Sequence, residues 1–194
     1  MKNFVNLGEL HVPPEQTCNI YIVRPSLTDG PWIAGGSVRQ WFSGKPVASD
    51  VDVYLRGHKQ LAQVVKRLES LGYSKHYDTT NAITYKATAS AEHLDRASAP
   101  PIQLIIKNFF NTPDDVLDSF DIVQSQLVTD GYTVYGNPDW NNREIGIANF
   151  DPKTILARLV KYSAYGFKIK PGQLSEIADR SDTNYSFKGM DDYE

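Results

Sequence analysis

The chain has 194 residues, 41% of them apolar, and a formal net charge of -3. That length fits one domain with a short appendage and enough apolar residue for a core, and the acidic balance excludes a strong general attraction to nucleic acid or anionic membrane. Cys18 is the single cysteine, which excludes an internal disulfide and a cysteine-rich zinc site and suits a reducing compartment.

Ile20-Tyr21-Ile22-Val23 predicts a strand, because β-branched and aromatic residues suit a pleated surface. Trp32-Ile33-Ala34 predicts a short buried strand ending in Gly35-Gly36. Ser37 is the expected cap of a helix with Val38, Trp41 and Phe42 on its apolar side. Val51 to Leu55 reads as a strand. Lys59 to Leu71 reads as a helix, with Leu61, Val64, Val65 and Leu68 as its stripe and Gly72 just past its end. Asn81 to Ala87 and Ile102 to Lys107 are two further predicted strands, joined by a loop rich in Ala, Ser and Pro.

Thr112-Pro113-Asp114-Asp115 has the pattern of a helix start, with a Thr cap, Pro in first position and acids in the first turn. Phe120 to Val128 predicts a strand, and Asp130-Gly131 a turn into Tyr132 to Tyr135. Thr154 to Tyr165 predicts a helix closed by Gly166. The expected fold class is α+β: a mixed sheet flanked by helices, one domain over residues 1–170, and a polar C-terminal tail over 171–194. No apolar run approaches the roughly 20 residues of a membrane helix, and residues 1–10 lack a signal-peptide pattern, so a soluble, cytoplasmic protein is expected.

The chemistry concentrates in two neighbouring pieces. Asp50 and Asp52 are two apart on a predicted strand, so both carboxylates face the same way. Like charges at about 4 Å repel by roughly 4 kcal/mol at an effective dielectric of 20. A hard divalent cation between them removes that cost, and oxygen-only ligands suit Mg²⁺ or Mn²⁺. Upstream, Gly35 and Gly36 let a phosphate approach the backbone, and Ser37 adds a hydroxyl. Arg39 has two readings, a phosphate contact or a partner for a core carboxylate. Asp121, at the start of a predicted apolar strand, is an expensive place for an unpaired charge. His11, His58, His76 and His93 show no ligand spacing.

Gly35-Gly36-Ser37-Val38-Arg39 followed by Ser49-Asp50-Val51-Asp52 resembles the signature of polymerase-beta-type nucleotidyltransferases. The likeness is to the head domain of poly(A) polymerases and CCA-adding tRNA nucleotidyltransferases, and to small viral and phage-like members, and covers roughly residues 30–165. The resemblance implies two Mg²⁺ or Mn²⁺ ions, with Asp50, Asp52 and Asp121 as catalytic metal ligands. It implies an NTP substrate held by Gly35, Gly36, Ser37 and Arg39, with Arg158, Lys161 and Tyr162 on a later helix as further nucleotide contacts. Gln40 departs from the aspartate usual in the tRNA enzymes, and no tRNA-holding domains follow. The implied reaction moves a nucleoside monophosphate from NTP to a hydroxyl on a small molecule, a protein or a nucleic-acid end, releasing pyrophosphate. Two other functions stand beside it: a catalytically silent nucleotide-binding or protein-interaction module of the same fold, and a nucleotide-sugar transferase using Asp-x-Asp.

Overall fold

The computed structural model describes residues 3–47, 49–88 and 100–185. Its strands are β1 (Val5–Glu9), β2 (Trp32–Ala34), β3 (Val51–Tyr54), β4 (Tyr73–Asp78), β5 (Ala82–Ala87), β6 (Ile102–Ile105), β7 (Leu127–Thr129) and β8 (Thr133–Gly136). The helices are α1 (Thr17–Val23), α2 (Gly36–Phe42), α3 (His58–Ser70), α4 (Pro113–Asp118), α5 (Ile155–Ala164) and α6 (Gln173–Tyr185). The strands form one sheet in the order β1-β8-β7-β2-β3-β6-β5-β4. Only β3 and β6 pair in parallel; the other neighbours are antiparallel. The α+β class expected from the sequence is the one observed.

The sheet is covered on both sides. On one face, Val38 and Trp41 of α2, Ile22 and Val23 of α1, and Val64 and Leu68 of α3 share a core with Val51, Val53, Ile102 and Leu104. On the other face, Val116 and Leu117 of α4 pack on Trp32, Ala34, Tyr54 and Val128. Strand alternation produces this split: odd-numbered residues of β3 enter the first core and even-numbered ones face the second side. A third cluster joins Ile122, Ile145, Ile155, Leu159, Tyr162 and Ile177, and so seats α5 and α6.

Several elements differ from expectation. Ile20 to Val23 lies in helix α1, not a strand, because Ile22 and Val23 reach the core from a helix as well as from a strand. Residues 120–126, expected as strand, form a loop and a 3-10 turn over Val123–Ser125, and strand pairing begins only at Leu127. Gln124 and Gln126 are fully buried there and spend their amides on backbone partners, Asn142 and Glu144 for one and Leu117 for the other. Such polar side chains replace the ladder that a strand would have supplied. In the stretch expected as a polar tail, residues 173–185 form α6, whose Ile177 is buried and whose Arg180 guanidinium lies 4.1 Å from the Phe150 ring. Residues 186–194 of that tail lie outside the described residues, as do His93 and most of the Ala/Ser/Pro-rich loop. The expected α4 start is observed in full: Thr112 and Asp115 make a reciprocal capping box.

One buried polar clasp anchors the segment that leads to Asp50. Gln16 accepts hydrogen bonds through Oε1 from Trp41 Nε1 at 2.6 Å and from the Val47 amide at 2.9 Å. It donates through Nε2 to the Val47 carbonyl at 3.0 Å. Gln16→Leu leaves two donors and an acceptor buried without partners. The expected loss is about 2–4 kcal/mol of folding stability, read as a lower denaturant midpoint with an unchanged slope.

Candidate functional site

The sheet register brings three chain segments to one point. Trp32 pairs with Tyr54 and Ile33 with Val53, so the end of β2 runs beside the start of β3. Ile33 also pairs with Thr129 and Ala34 with Val128, so the start of β7 flanks β2 on its other side. Gly35 sits at this junction with φ 88°, a left-handed conformation, and its amide donates to the Leu127 carbonyl at 2.8 Å. Its N–H is therefore committed to the sheet. A Cβ at Gly35 would meet the Phe120 ring at 3.1 Å and come within 4.0 Å of Asp52 Oδ2.

Around this junction lies a cavity of about 150 Å³. Gly36, Ser37, Arg39 and Gln40 line it from α2, Asp50 and Asp52 from β3 and its approach, Asp121 from the loop after α4, and Arg158, Lys161 and Tyr162 from α5. Nine of the ten residues expected at the site therefore share one cavity, and Gly35 stands behind its wall as the turn that starts α2. Ser37 is not the helix cap: α2 begins at Gly36, Gly35 is the capping residue, and no side chain closes that end. The Ser37 hydroxyl is instead buried against the cavity with no hydrogen-bond partner among the described residues.

The two aspartates point the same way, as the strand period requires. Burial and then the Asp50 charge push the Asp52 carboxyl up from 3.8 to about 6, against smaller opposing pulls from Lys161 and Arg158. Asp50 accepts from Gln103 Nε2 at 3.4 Å, and Gln103 sits beside Asp52 across the β3–β6 pairing. Asp121 lines the same cavity, but Arg158 Nε donates to its Oδ2 at 3.2 Å. Among the described residues no three His, Cys, Asp or Glu side chains are grouped as a metal-ligating set. Asp121 thus lines the cavity with Asp50 and Asp52 as the partner of a cation on α5. Asp50 and Asp52 are two carboxylates close enough for the charge of one to raise the pKa of the other, the kind of oxygen pair whose repulsion a divalent ion would relieve.

Arg39 contacts neither a core carboxylate nor a surface acid among the ion pairs of the described residues. Its guanidinium carbon lies 5.5 Å from the Tyr162 ring centroid, 5.1 Å from that of Tyr165 and 5.4 Å from that of Phe167. Its Nε is buried without a partner. Tyr162, expected as a nucleotide contact, is buried in the cavity wall, and its hydroxyl is hydrogen-bonded to Ser125 Oγ. Ser125 and Tyr165 are cavity residues that the sequence did not single out, and Gln40, noted there only as a departure from the resembling enzymes, lines the cavity with a buried Oε1. Gln40 and Tyr165 had a usable signal, three residues beyond Ser37 and three beyond Tyr162 on the same helix faces.

Two outcomes follow from this geometry. Gly35→Ala forces a side chain into a left-handed backbone beside Phe120 and is expected to cost about 1–3 kcal/mol. Gly36→Ala meets no atom within 4 Å and is expected to leave the melting temperature nearly unchanged. Equal losses in thermal melts would contradict this division of labour. Asp52 titrates with a raised folded-state pKa, so the folded protein holds the extra proton between pH 4 and 6 and loses stability as pH rises through that window. In metal-free buffer Asp52→Asn is expected to be more stable than the parent at pH 8, by on the order of 2 to 3 kcal/mol, with the gap closing near pH 4. Paired urea titrations across that range read it out.

No curated protein matches the chain. A family model, described as Gabija anti-defense 2 family protein (Gad2), matches residues 16–142. This corrects the family expected from the Gly-Ser and Asp-x-Asp pattern, since the model that matches is not one of nucleotidyltransferases. A glycine turn before a helix and two acids on the next strand form a local solution to holding phosphate and metal, and chemistry of that kind does not define ancestry. The match spans α1 to the 3-10 turn after β8 and takes in Gly35 to Arg39, Asp50, Asp52 and Asp121, more than half of the chain. The protein belongs to the Gabija anti-defense 2 family.

Proposed function

We propose that the cavity performs metal-dependent nucleotidyl transfer from an NTP to a hydroxyl acceptor. The observation that carries this reading is that Asp50 and Asp52 line one cavity with Gly36 and Ser37 at the start of α2, where the buried Ser37 hydroxyl has no partner among the described residues. The acceptor oxygen forms a bond to the α-phosphorus, the bond from that phosphorus to the α,β-bridging oxygen breaks, and pyrophosphate leaves while the acceptor proton passes to solvent. Bound by Asp50 and Asp52, a divalent ion would neutralise phosphate charge and lower the pKa of the acceptor hydroxyl.

The chain's own residues orient the substrate. Ser37 Oγ donates to a phosphate oxygen, and Gly36 leaves the approach open. Lys161 and Arg158 supply positive charge on the α5 side. Arg158 has two uses, the triphosphate and Asp121. If a second ion were held there, Asp121 would supply a carboxylate oxygen to it beside Asp50 and Asp52, with Arg158 on the other oxygen of Asp121.

The family's name sets it against a defence system, and the acceptor proposed here is a component of that system. The absence of a broad positive charge argues for a protein or small-molecule hydroxyl, or a nucleic-acid end, over a long nucleic-acid surface. No helix among the described residues is long and apolar enough to cross a membrane. The Asp121–Arg158 ion pair favours one second reading, a module that binds nucleotide without turnover. Labelling separates the two: transfer moves label from α-phosphate-labelled NTP and not from γ-labelled NTP.

With that substrate, Asp52→Asn or removal of divalent metal by EDTA is expected to lower labelling by at least about a hundredfold, near the range for loss of a transition-state charge partner. Binding of NTP without any labelling of lysate acceptors would support the silent module instead. Protonation of Asp52 competes with metal, so Mg²⁺-dependent NTP affinity is expected to fall as pH drops below about 6, by about tenfold per unit for one competing proton. A pH-independent affinity between 5 and 8 by calorimetry would count against Asp52 as a ligand.

A further inference from the structure

We infer that Tyr165 is the platform on which the base of the incoming nucleotide stacks, and that the site takes nucleoside triphosphates by stacking rather than by reading base edges. This rests on the triphosphate reading of the cavity. The cavity holds about 150 Å³, whereas sites that enclose a drug-sized ligand run to roughly 300–1,000 Å³. The space is filled by phosphates and a metal, and the nucleoside has to lie at the mouth.

Tyr165 is the aromatic residue positioned there. It lines the cavity yet is 45% exposed, whereas Tyr162 is buried. It is the last residue of the α5 turn, followed by Gly166 at φ 93°, and its amide closes that turn on the Lys161 carbonyl. The Lys161 side chain and the Tyr165 ring therefore flank the same opening. The Arg39 guanidinium lies 5.1 Å from the Tyr165 ring centroid, and the Tyr162 ring meets it edge-on at 5.8 Å. A guanidinium over the ring and a near-perpendicular ring beside it fix the orientation of Tyr165, and close to half of the residue still reaches solvent at the cavity.

A base laid against the exposed part of the Tyr165 ring would lie beside the Arg39 guanidinium that holds that ring. Arg39 acts here as a positioning residue, and with no acid paired to it among the described residues its charge is available to the ring. Every base has a π face, so stacking of this kind tolerates purines and pyrimidines.

The test is calorimetry on the full chain with Ca²⁺, comparing tripolyphosphate with non-hydrolysable α,β-imido analogues of ATP and UTP. The parent protein is expected to bind both nucleotide analogues more tightly than tripolyphosphate. Tyr165→Ala is expected to weaken the nucleotide analogues roughly ten- to a hundredfold and leave tripolyphosphate unchanged; Tyr165→Phe is expected to match the parent. Unchanged nucleotide affinity in Tyr165→Ala, or an equal loss for tripolyphosphate, overturns the stacking role while leaving the triphosphate cavity standing. Failure of the parent to bind tripolyphosphate and both nucleotides overturns the triphosphate reading itself, and the platform with it.

Discussion

Two carboxylates held on one face of a short strand, at a place where water is scarce, are the constraint around which this fold is arranged. Burial penalises the Asp52 charge and the neighbouring Asp50 carboxylate adds to that penalty, which pushes the Asp52 carboxyl up to about 6. A folded chain keeps such an arrangement only when other interactions over-determine it. Here they do: β3 is the central strand between β2 and β6, its odd-numbered valines are fully buried, and Gln103 from the parallel neighbour steadies Asp50. The clasp of Gln16 on Trp41 and Val47 fixes the connection from α2 into that strand.

The same register explains why distant residues meet. Antiparallel pairing sets the end of β2 against the starts of β3 and β7, so the turn at Gly35, the acids of β3 and the loop carrying Asp121 converge without any long-range coincidence. The C-terminal cluster then closes the cavity from the side. Arg39 is the joint: it leaves α2, which carries Ser37, and ends among aromatic rings of α5 and the residue stretch after it. Positive charge from Arg158 and Lys161 is thereby brought opposite the acids, and one of the two cations is already paired with Asp121.

Much of this was legible in the sequence because its signals are local. The α3 stripe of Val64 and Leu68, the Thr112 capping box, and the two-residue spacing of Asp50 and Asp52 each depend on a few neighbouring residues. The misread parts depend on tertiary context. Ile20 to Val23 has β-branched composition, yet it sits on a helix whose Ile22 and Val23 reach the core. Residues 120–126 look apolar enough for a strand, but buried glutamines take their place in the hydrogen-bond accounting. The Asp121–Arg158 pair joins residues 37 apart in the chain, which no short motif encodes. Family membership was beyond the motif for a related reason: the Gly35-Gly36 turn and the acid pair are a few residues, whereas the family match extends over residues 16–142.

The most direct measurement of the central claim is anomalous diffraction from a crystal soaked with Mn²⁺ and a non-hydrolysable NTP. The account predicts a Mn²⁺ peak within about 2.0–2.3 Å of oxygens from both Asp50 and Asp52, with triphosphate oxygens reaching toward Ser37 Oγ. A peak elsewhere on the chain, or nucleotide bound away from the cavity between α2 and α5, would contradict it.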